Sequence, residues 1–382
     1  MIDGVVGAAR ELCLVAAEGD WAGPDIYDGL AARWPRPLTS GPRRRQAIIQ
    51  LHARAPIDLR PLSRREHRPI AKAAALFAQA DLRLAGLGDA RRHRASATRA
   101  LDVVHADQRA GSEAWGYPWD VQTRWGHYLA GSPNVIVTAF AVQALVEGGR
   151  ALDRPDYRER ALAAARWVQE RLFRPSGGFY AYHAGSQAVI HNANLLGARA
   201  ASLAGDGDAV MRAVDRTLSA QAPDGSFPYG EGAGLAFVDS FHTGYVIECL
   251  CDLAATTAAD SLGRAADFYC ASFFDSSGRA TLWPSRRYPE DAHSAGTGLT
   301  TLARLQREGL GDPGLLQRVA GRAAHAMVRK GHAIHRRYRW GSTRVRYVRW
   351  ADAHMALGLA NAALALGHGD GRSGSRQARR VD

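Results

Sequence analysis

Between Gln221 and Tyr245 the chain concentrates groups able to exchange protons and to hold a polar ligand. The run Gln221-Ala-Pro-Asp-Gly-Ser-Phe-Pro-Tyr-Gly-Glu231 is followed by Phe237-Val-Asp-Ser-Phe-His-Thr-Gly-Tyr245, which places three carboxylates, a histidine and two tyrosines within 25 positions. Histidine, tyrosine and carboxylate side chains at a cavity mouth are participants in general acid–base catalysis. A helix beginning near Asp239 presents free backbone N–H groups and the positive end of its dipole to such a cavity. Asp239 then either caps that helix or acts on a ligand, and His242 and Tyr245 lie one turn apart on it. Tyr229, Glu231, Asp239, His242 and Tyr245 are the candidate catalytic residues.

Other segments supply binding chemistry. Trp115-Gly-Tyr-Pro-Trp-Asp120 puts the aromatics Trp115, Tyr117 and Trp119 beside the Asp120 carboxylate, with Arg124 just beyond. Stacking faces plus planar hydrogen-bonding groups suit a pyranose ring, although aromatics also fill helical cores. Asn134 and the run His191-Asn192-Ala-Asn194 each open an Ala/Leu-rich helix. Their amides and imidazole fit sugar hydroxyls or a ligand carboxylate, and fit helix capping equally well. Tyr288-Pro-Glu-Asp-Ala-His293 repeats the chemistry of the opening stretch through Tyr288, Asp291 and His293. Arg349, in Arg346-Tyr-Val-Arg-Trp350, is either part of a cationic and aromatic cluster or of a solvated helix face. HExxH, CxxC and carboxylate-rich calcium loops are absent from the sequence, as are P-loop, Rossmann and GxSxG signatures, so neither a metal nor a nucleotide cofactor is expected.

The elements that must position these groups are helical. From about residue 110 onward, glycine-and-aromatic turns (Gly116–Trp119, Gly177–Tyr180, Asp224–Phe227, Ser277–Trp283, His332–Tyr338) alternate with pairs of Ala/Leu-rich helices. Their spacing, on the order of 50–60 residues, is that of one helical hairpin with its loops. Residues 133–147 and 157–172, then 190–203 and 208–220, read as successive helices with glycine stops. Useful period-two alternation is absent. The chemically capable residues sit in turns and at helix starts, which favours closure into an all-α, (α/α) toroid with a central cavity over an open solenoid. Residues 1–100 read as helices packed on or completing the toroid, 101–367 as the toroid itself, and 368–382 as a disordered basic tail.

Bulk properties bound the rest. With 46% hydrophobic and 23% charged residues the chain is globular in composition. Its four cysteines lack paired spacing, which points to buried thiols in a reducing, cytoplasmic setting. The N-terminus lacks the basic and long apolar regions of a signal peptide, and no run approaches the length of a membrane span. The net charge of +12 rests almost wholly on dispersed arginines, so anionic sugars or a membrane surface are better partners for it than nucleic acid.

Gln221-Ala-Pro-Asp-Gly-Ser-Phe has the Gln-x-x-Asp-Gly-x-aromatic form of the repeat in squalene-cyclase-like and prenyltransferase-like toroids, which implies a scaffold role for Gln221 to Phe227. Trp115–Arg124, Ser132–Asn134, Ile190–Leu195, Asp224–Glu231, Asp239–Tyr245 and Tyr288–His293 together resemble the α/α-toroid proteins of bacterial polysaccharide-biosynthesis clusters. Those are similar to the helical domain of glucuronyl C5-epimerases, and the resemblance spans roughly residues 55–365. It implies a carbohydrate-active protein that modifies or binds an anionic or uronic saccharide, and the combination of His, Tyr, Asn and Arg side chains fits proton abstraction in epimerase or lyase fashion. Glycoside hydrolysis by paired carboxylates, a non-catalytic polysaccharide-binding role beside membrane assembly machinery, and terpenoid cyclisation or prenyl transfer are the alternatives. The Asp-x-Asp-Asp acid motif of terpene cyclases is missing. Phe241-His-Thr-Gly244 echoes the zinc-binding segment of prenyltransferases with glycine in place of cysteine.

Overall fold

The computed structural model of the protein describes residues 1–32, 34–55, 58, 68–107, 112–123, 126–254 and 256–369. Its helices are α1 (Ile2–Glu18), α2 (Arg36–Thr39), α3 (Pro42–Arg54), α4 (Ala71–Ala85), α5 (Ala90–Ala106), α6 (Val135–Ala151), α7 (Pro155–Leu172), α8 (His191–Ala201), α9 (Gly207–Leu218), α10 (Ser240–Leu253), α11 (Ala259–Phe273), α12 (Ala292–Arg307), α13 (Pro313–Arg322) and α14 (Ala353–Gly369). The strands among the described residues are two or three residues long and lie in the connections. The all-α class follows.

Two kinds of helix alternate, for a compositional reason. α4, α6, α8, α10, α12 and α14 are built mostly of small and apolar residues and are buried on nearly every side, as in α4, where every residue from Ala71 to Asp81 is buried. A helix apolar on every face has to be surrounded. These six pack in order, α4 on α6, α6 on α8 and so on to α12 on α14, and α14 returns to α4. The ring is closed. Outside it stand α5, α7, α9, α11 and α13, each of which buries one stripe: α9 covers Ala209, Val210, Ala213, Val214 and Thr217 and leaves its other face wet. The sixth outer position is filled by α1, which packs on α14, so the two ends of the chain share one hairpin. The ring's first inner–outer pair is α4 and α5, spanning Ala71 to Ala106.

The turn at Asp224-Gly225 ties neighbouring hairpins together. The Gln221 side-chain amide donates to the carbonyls of Gly225 and Ser261 at 3.1 and 2.9 Å, and its carbonyl accepts from Ser261 at 2.6 Å. Gly225 adopts φ +88, and a Cβ there would lie 2.3 Å from the Arg264 carbonyl, so only glycine fits the turn against α11. All four cysteines are free thiols. α5 runs over Ala90–Ala106 where the apolar pattern suggests 91–108, and α14 continues into the expected tail as far as Gly369. Residues 370–382 lie outside the described residues, as does most of the Pro56–Pro61 connector.

Candidate active site

Chain geometry gathers the first turns of the inner helices around a cavity of about 780 Å³. α4 contributes Lys72, α8 Asn192, α10 Phe241, His242 and Tyr245, and α12 His293. Tyr27, Tyr117, Tyr182, Tyr229, Arg349 and Trp350 close it from the connections.

Asp239 is both cap and partner. As the N-cap of α10 it accepts the His242 backbone N–H at 3.0 Å through one oxygen, while its other oxygen lies 2.7 Å from His242 Nδ1. A carboxylate in this role accepts, so Nδ1 carries the ring proton and Nε2 holds the lone pair. The ring is fixed further by Tyr229 and Phe241, with centroids 4.5 and 4.1 Å away. His242 stays 21% exposed while Asp239 is 3% exposed, so the imidazole faces the open space and its partner backs it.

A second cluster lies deeper. The Tyr245 hydroxyl is 2.8 Å from His293 Nε2 and 3.3 Å from His354 Nε2. With one proton, the hydroxyl donates to one ring and accepts from the other. The two imidazoles stack at 4.0 Å. Burial pushes both well below the usual histidine value, helped at His293 by His354 and at both by Lys72, so both are neutral near pH 7. His293 Nδ1 has no hydrogen-bond partner among the described residues. The close pairing depends on glycine, since a Cβ on Gly296 of α12 would lie 2.4 Å from the His354 backbone, and one on Gly358 of α14 would lie 2.2 Å from the Gly296 carbonyl.

Two buried basic side chains stand in the wall. Lys72 sits 4.1 Å from the Phe140 ring centroid with no carboxylate in ion-pair reach among the described residues; burial, then the charge of Arg349, drives its pKa well below the ordinary lysine value. Arg349 grips Asp25 with two bonds of 2.7 Å each and lies over Tyr117 and Trp350. Among the described lining residues Asp239 is the one carboxylate. No group of three His, Cys, Asp or Glu side chains among the described residues is arranged to hold a metal ion.

The cavity thus brings together Tyr229, Asp239, His242, Tyr245, Tyr117, Asn192, His293 and Arg349. It does not include the other candidates among the described residues. Glu231 is turned outward into an exposed ion pair with Arg216. Trp115 is core, its indole donating to the Val104 carbonyl at 2.9 Å, and Trp119 is buried behind Tyr117. Asp120 accepts the Ala130 N–H within its own loop. Asn134 and Asp291 cap α6 and α12, and Asp291 also accepts from Arg336. Asn194 accepts the Tyr180 N–H and donates to the Ala213 carbonyl. His191 is packed beside Thr217, burial lowering its pKa to about 4. Tyr288 packs under Arg279. Arg124 lies outside the described residues.

Lys72, His354, Asp25, Tyr27 and Tyr182 are additions that sequence reasoning passes over. Two had a local signal. Asp352-Ala-His354 repeats Asp291-Ala-His293 at the start of the next inner helix, and Lys72 is a lone charge opening the Ala-rich run 71–78. Asp25 had none, because its partner lies 324 positions away.

No protein-family model matches the chain, and no curated protein matches it. Solved structures do. An unsaturated glucuronyl hydrolase specific for heparin superposes with a TM-score of 0.62 at 12% identity, over 96% of this chain and 99% of that one. D-mannose isomerase gives 0.58 at 9% identity, over 77% and 87% of the two chains. Cellobiose 2-epimerase from Bacillus thermoamylovorans gives 0.57 at 10%, over 76% and 87%. At such identities the likeness establishes a shared α/α-toroid fold.

Proposed function

We propose that the protein is a carbohydrate-active enzyme that moves a proton at a sugar carbon next to a carboxylate or carbonyl group, in epimerase or lyase fashion, on an anionic uronic saccharide of polysaccharide biosynthesis. The observation that carries this reading is the Asp239–His242 dyad, open to a cavity whose other polar groups are neutral or cationic. His242 Nε2 takes the proton, and Asp239 stabilises the imidazolium that forms. Negative charge then develops on the substrate oxygen, for which Lys72, Arg349 and Asn192 are the electrostatic partners. His293, hydrogen-bonded to the Tyr245 hydroxyl, is the second proton carrier, on a different inner helix from His242; neutral in the free protein, it must take up a proton together with the anionic substrate before it can return one while His242 takes the other. Two carriers on separate walls are what an epimerisation requires, because the proton returns to the opposite face.

Glycoside hydrolysis is less well supported. It needs two carboxyl groups about 5–10 Å apart across the sugar, whereas Glu231 is bound to Arg216, Asp120 to its own loop and Asp25 to Arg349. The polar lining argues against an isoprenoid. The structural neighbours, a glucuronyl hydrolase, a sugar isomerase and a sugar epimerase, are in keeping with a saccharide ligand.

Incubation with uronic-acid polymers and oligosaccharides in deuterated water, followed by NMR, tests the proposal. Deuterium at the carbon beside the carboxylate, or an unsaturated product, is expected. Failure of every uronic substrate to give either would overturn it in favour of a pocket that only recognises sugar.

A further inference from the structure

At the opposite end of the ring the C-terminal halves of the inner helices enclose a second cavity of about 470 Å³, which shares no lining residue with the first. Five guanidinium groups border it: Arg83 of α4, Arg150 of α6, Arg199 of α8, and Arg304 and Arg307 of α12. Cations in last turns complement the negative ends of helix dipoles, which explains their positions along the helices. The surplus is a separate matter.

Three carboxylates face these five cations. Glu147 is occupied by Arg83 at 2.6 and 3.0 Å, and Asp252 is shared by Arg199 and Arg304. Glu248 accepts from the Thr301 hydroxyl at 2.8 Å. Arg150 and Arg307, at the exposed rim, have no carboxylate partner among the described residues. An independent observation comes from the wall. Gln79 is 1% exposed, yet its side-chain amide nitrogen has no hydrogen-bond partner among the described residues. A buried, unsatisfied donor is destabilising, and unmatched positive charge in a concave, low-dielectric site concentrates anions. One oxyanion answers both.

We propose that this second cavity binds a small metabolite bearing phosphate or carboxylate groups, of monosaccharide-phosphate size, held by the rim arginines and the Gln79 amide. Its volume falls within the usual range of small-molecule sites, roughly 300–1,000 Å³. Phe140, on its wall, stands edge-on to Tyr245 of the first cavity at 5.5 Å, so one aromatic layer separates the two sites.

Titration calorimetry at about 0.15 M salt with inorganic phosphate, glucose 6-phosphate and citrate tests this. One-to-one binding of at least one probe is expected, and the preferred probe distinguishes a phosphate from a carboxylate ligand. The double variant Arg150→Gln/Arg307→Gln should weaken binding about tenfold or more, as loss of charge-assisted bonds does. Both side chains are exposed, so the variant should fold. Arg91→Gln/Arg92→Gln, on the exposed start of α5, should bind within about twofold of the parent. His242→Ala should bind unchanged, which separates failure here from failure of the proposed activity. Three results would overturn the site: no heat with any probe, equal weakening in the α5 variant, or a lowered Tm in the rim variant with affinity intact.

Discussion

A single carboxylate fixes the most reactive group of the first cavity, because Asp239 holds both the backbone N–H and the ring of His242. Asp239→Asn can keep the cap but presents an amide to Nδ1, which permits the wrong tautomer. Turnover should fall about 10²-fold or more with little change in KM, while Tm moves only slightly. His242→Ala should lose at least as much, and unchanged turnover would remove His242 from the chemistry. This dyad was legible in the sequence because cap and histidine are three positions apart. The His293–Tyr245–His354 relay was half legible: His293 sat in a recognisable run, whereas His354 required noticing that Asp-Ala-His recurs. Asn134, His191 and Asn194 illustrate the reverse. Polar residues at helix starts look alike in sequence whether they face a ligand or a backbone carbonyl, and these three face the protein.

Elements impose a tighter tolerance than any one side chain. α12 and α14 touch through Gly296 and Gly358, and that contact sets the 4.0 Å spacing of His293 and His354. Gly296→Ala forces a methyl into the His354 backbone, so the helices must separate. We expect a loss of about 1–3 kcal/mol in urea unfolding, as for other overpacked sites, together with loss of activity. The same change at half-buried Gly263 of α11, where nothing lies within 4 Å, should raise stability slightly. Glu248 tests the other end of α10. Burial raises its pKa to about 7, and the Thr301 hydroxyl and the charges of Arg199 and Arg304 only partly oppose this. The native state therefore binds more protons than the unfolded chain between about pH 4.5 and 7, and stability falls as pH rises through that window. Glu248→Gln should gain on the order of 1–2 kcal/mol at pH 8 and nothing at pH 5. Helix type and turn positions were readable from periodicity and glycine, but which helices were inner followed from all-round apolarity, and helix–helix distance is written only in pairs of glycines on different helices.

The whole molecule is a ring whose ends must find each other, and no local pattern records that. α1 fills the outer place beside α14, Tyr347 donates to the His52 carbonyl at 3.3 Å, and Arg349 clamps Asp25 beneath the first cavity. Closure has a pH cost. His191 and His335 have pKa values lowered to about 4 by burial, and His293 and His354 are held well below normal. The unfolded chain binds those protons near pH 6.5, so stability is fully present above that value and drains as pH falls toward 4, by up to about 1.4 kcal/mol per histidine per pH unit. Urea midpoints at pH 7, 5.5 and 4.5 should decline steadily; a flat profile would contradict neutral burial.

The clamp gives the sharpest whole-molecule test. Arg349 is 1% exposed and Asp25 is fully buried, so Arg349→Ala strands a carboxylate in a low-dielectric interior. Breaking one side of such a pair costs about 3–5 kcal/mol, most of it from the abandoned charge rather than from the lost attraction. Asp25→Asn/Arg349→Met removes both charges and should recover much of that stability, leaving urea midpoints nearer the parent than either single variant. Activity should not recover with it, because the cavity then lacks its buried guanidinium. Recovery of stability without turnover would assign the pair two roles, with Asp25 holding the chain ends together and Arg349 also facing the substrate. Recovery of both would reduce Arg349 to a structural clasp, leaving Lys72 as the cation that meets the developing charge.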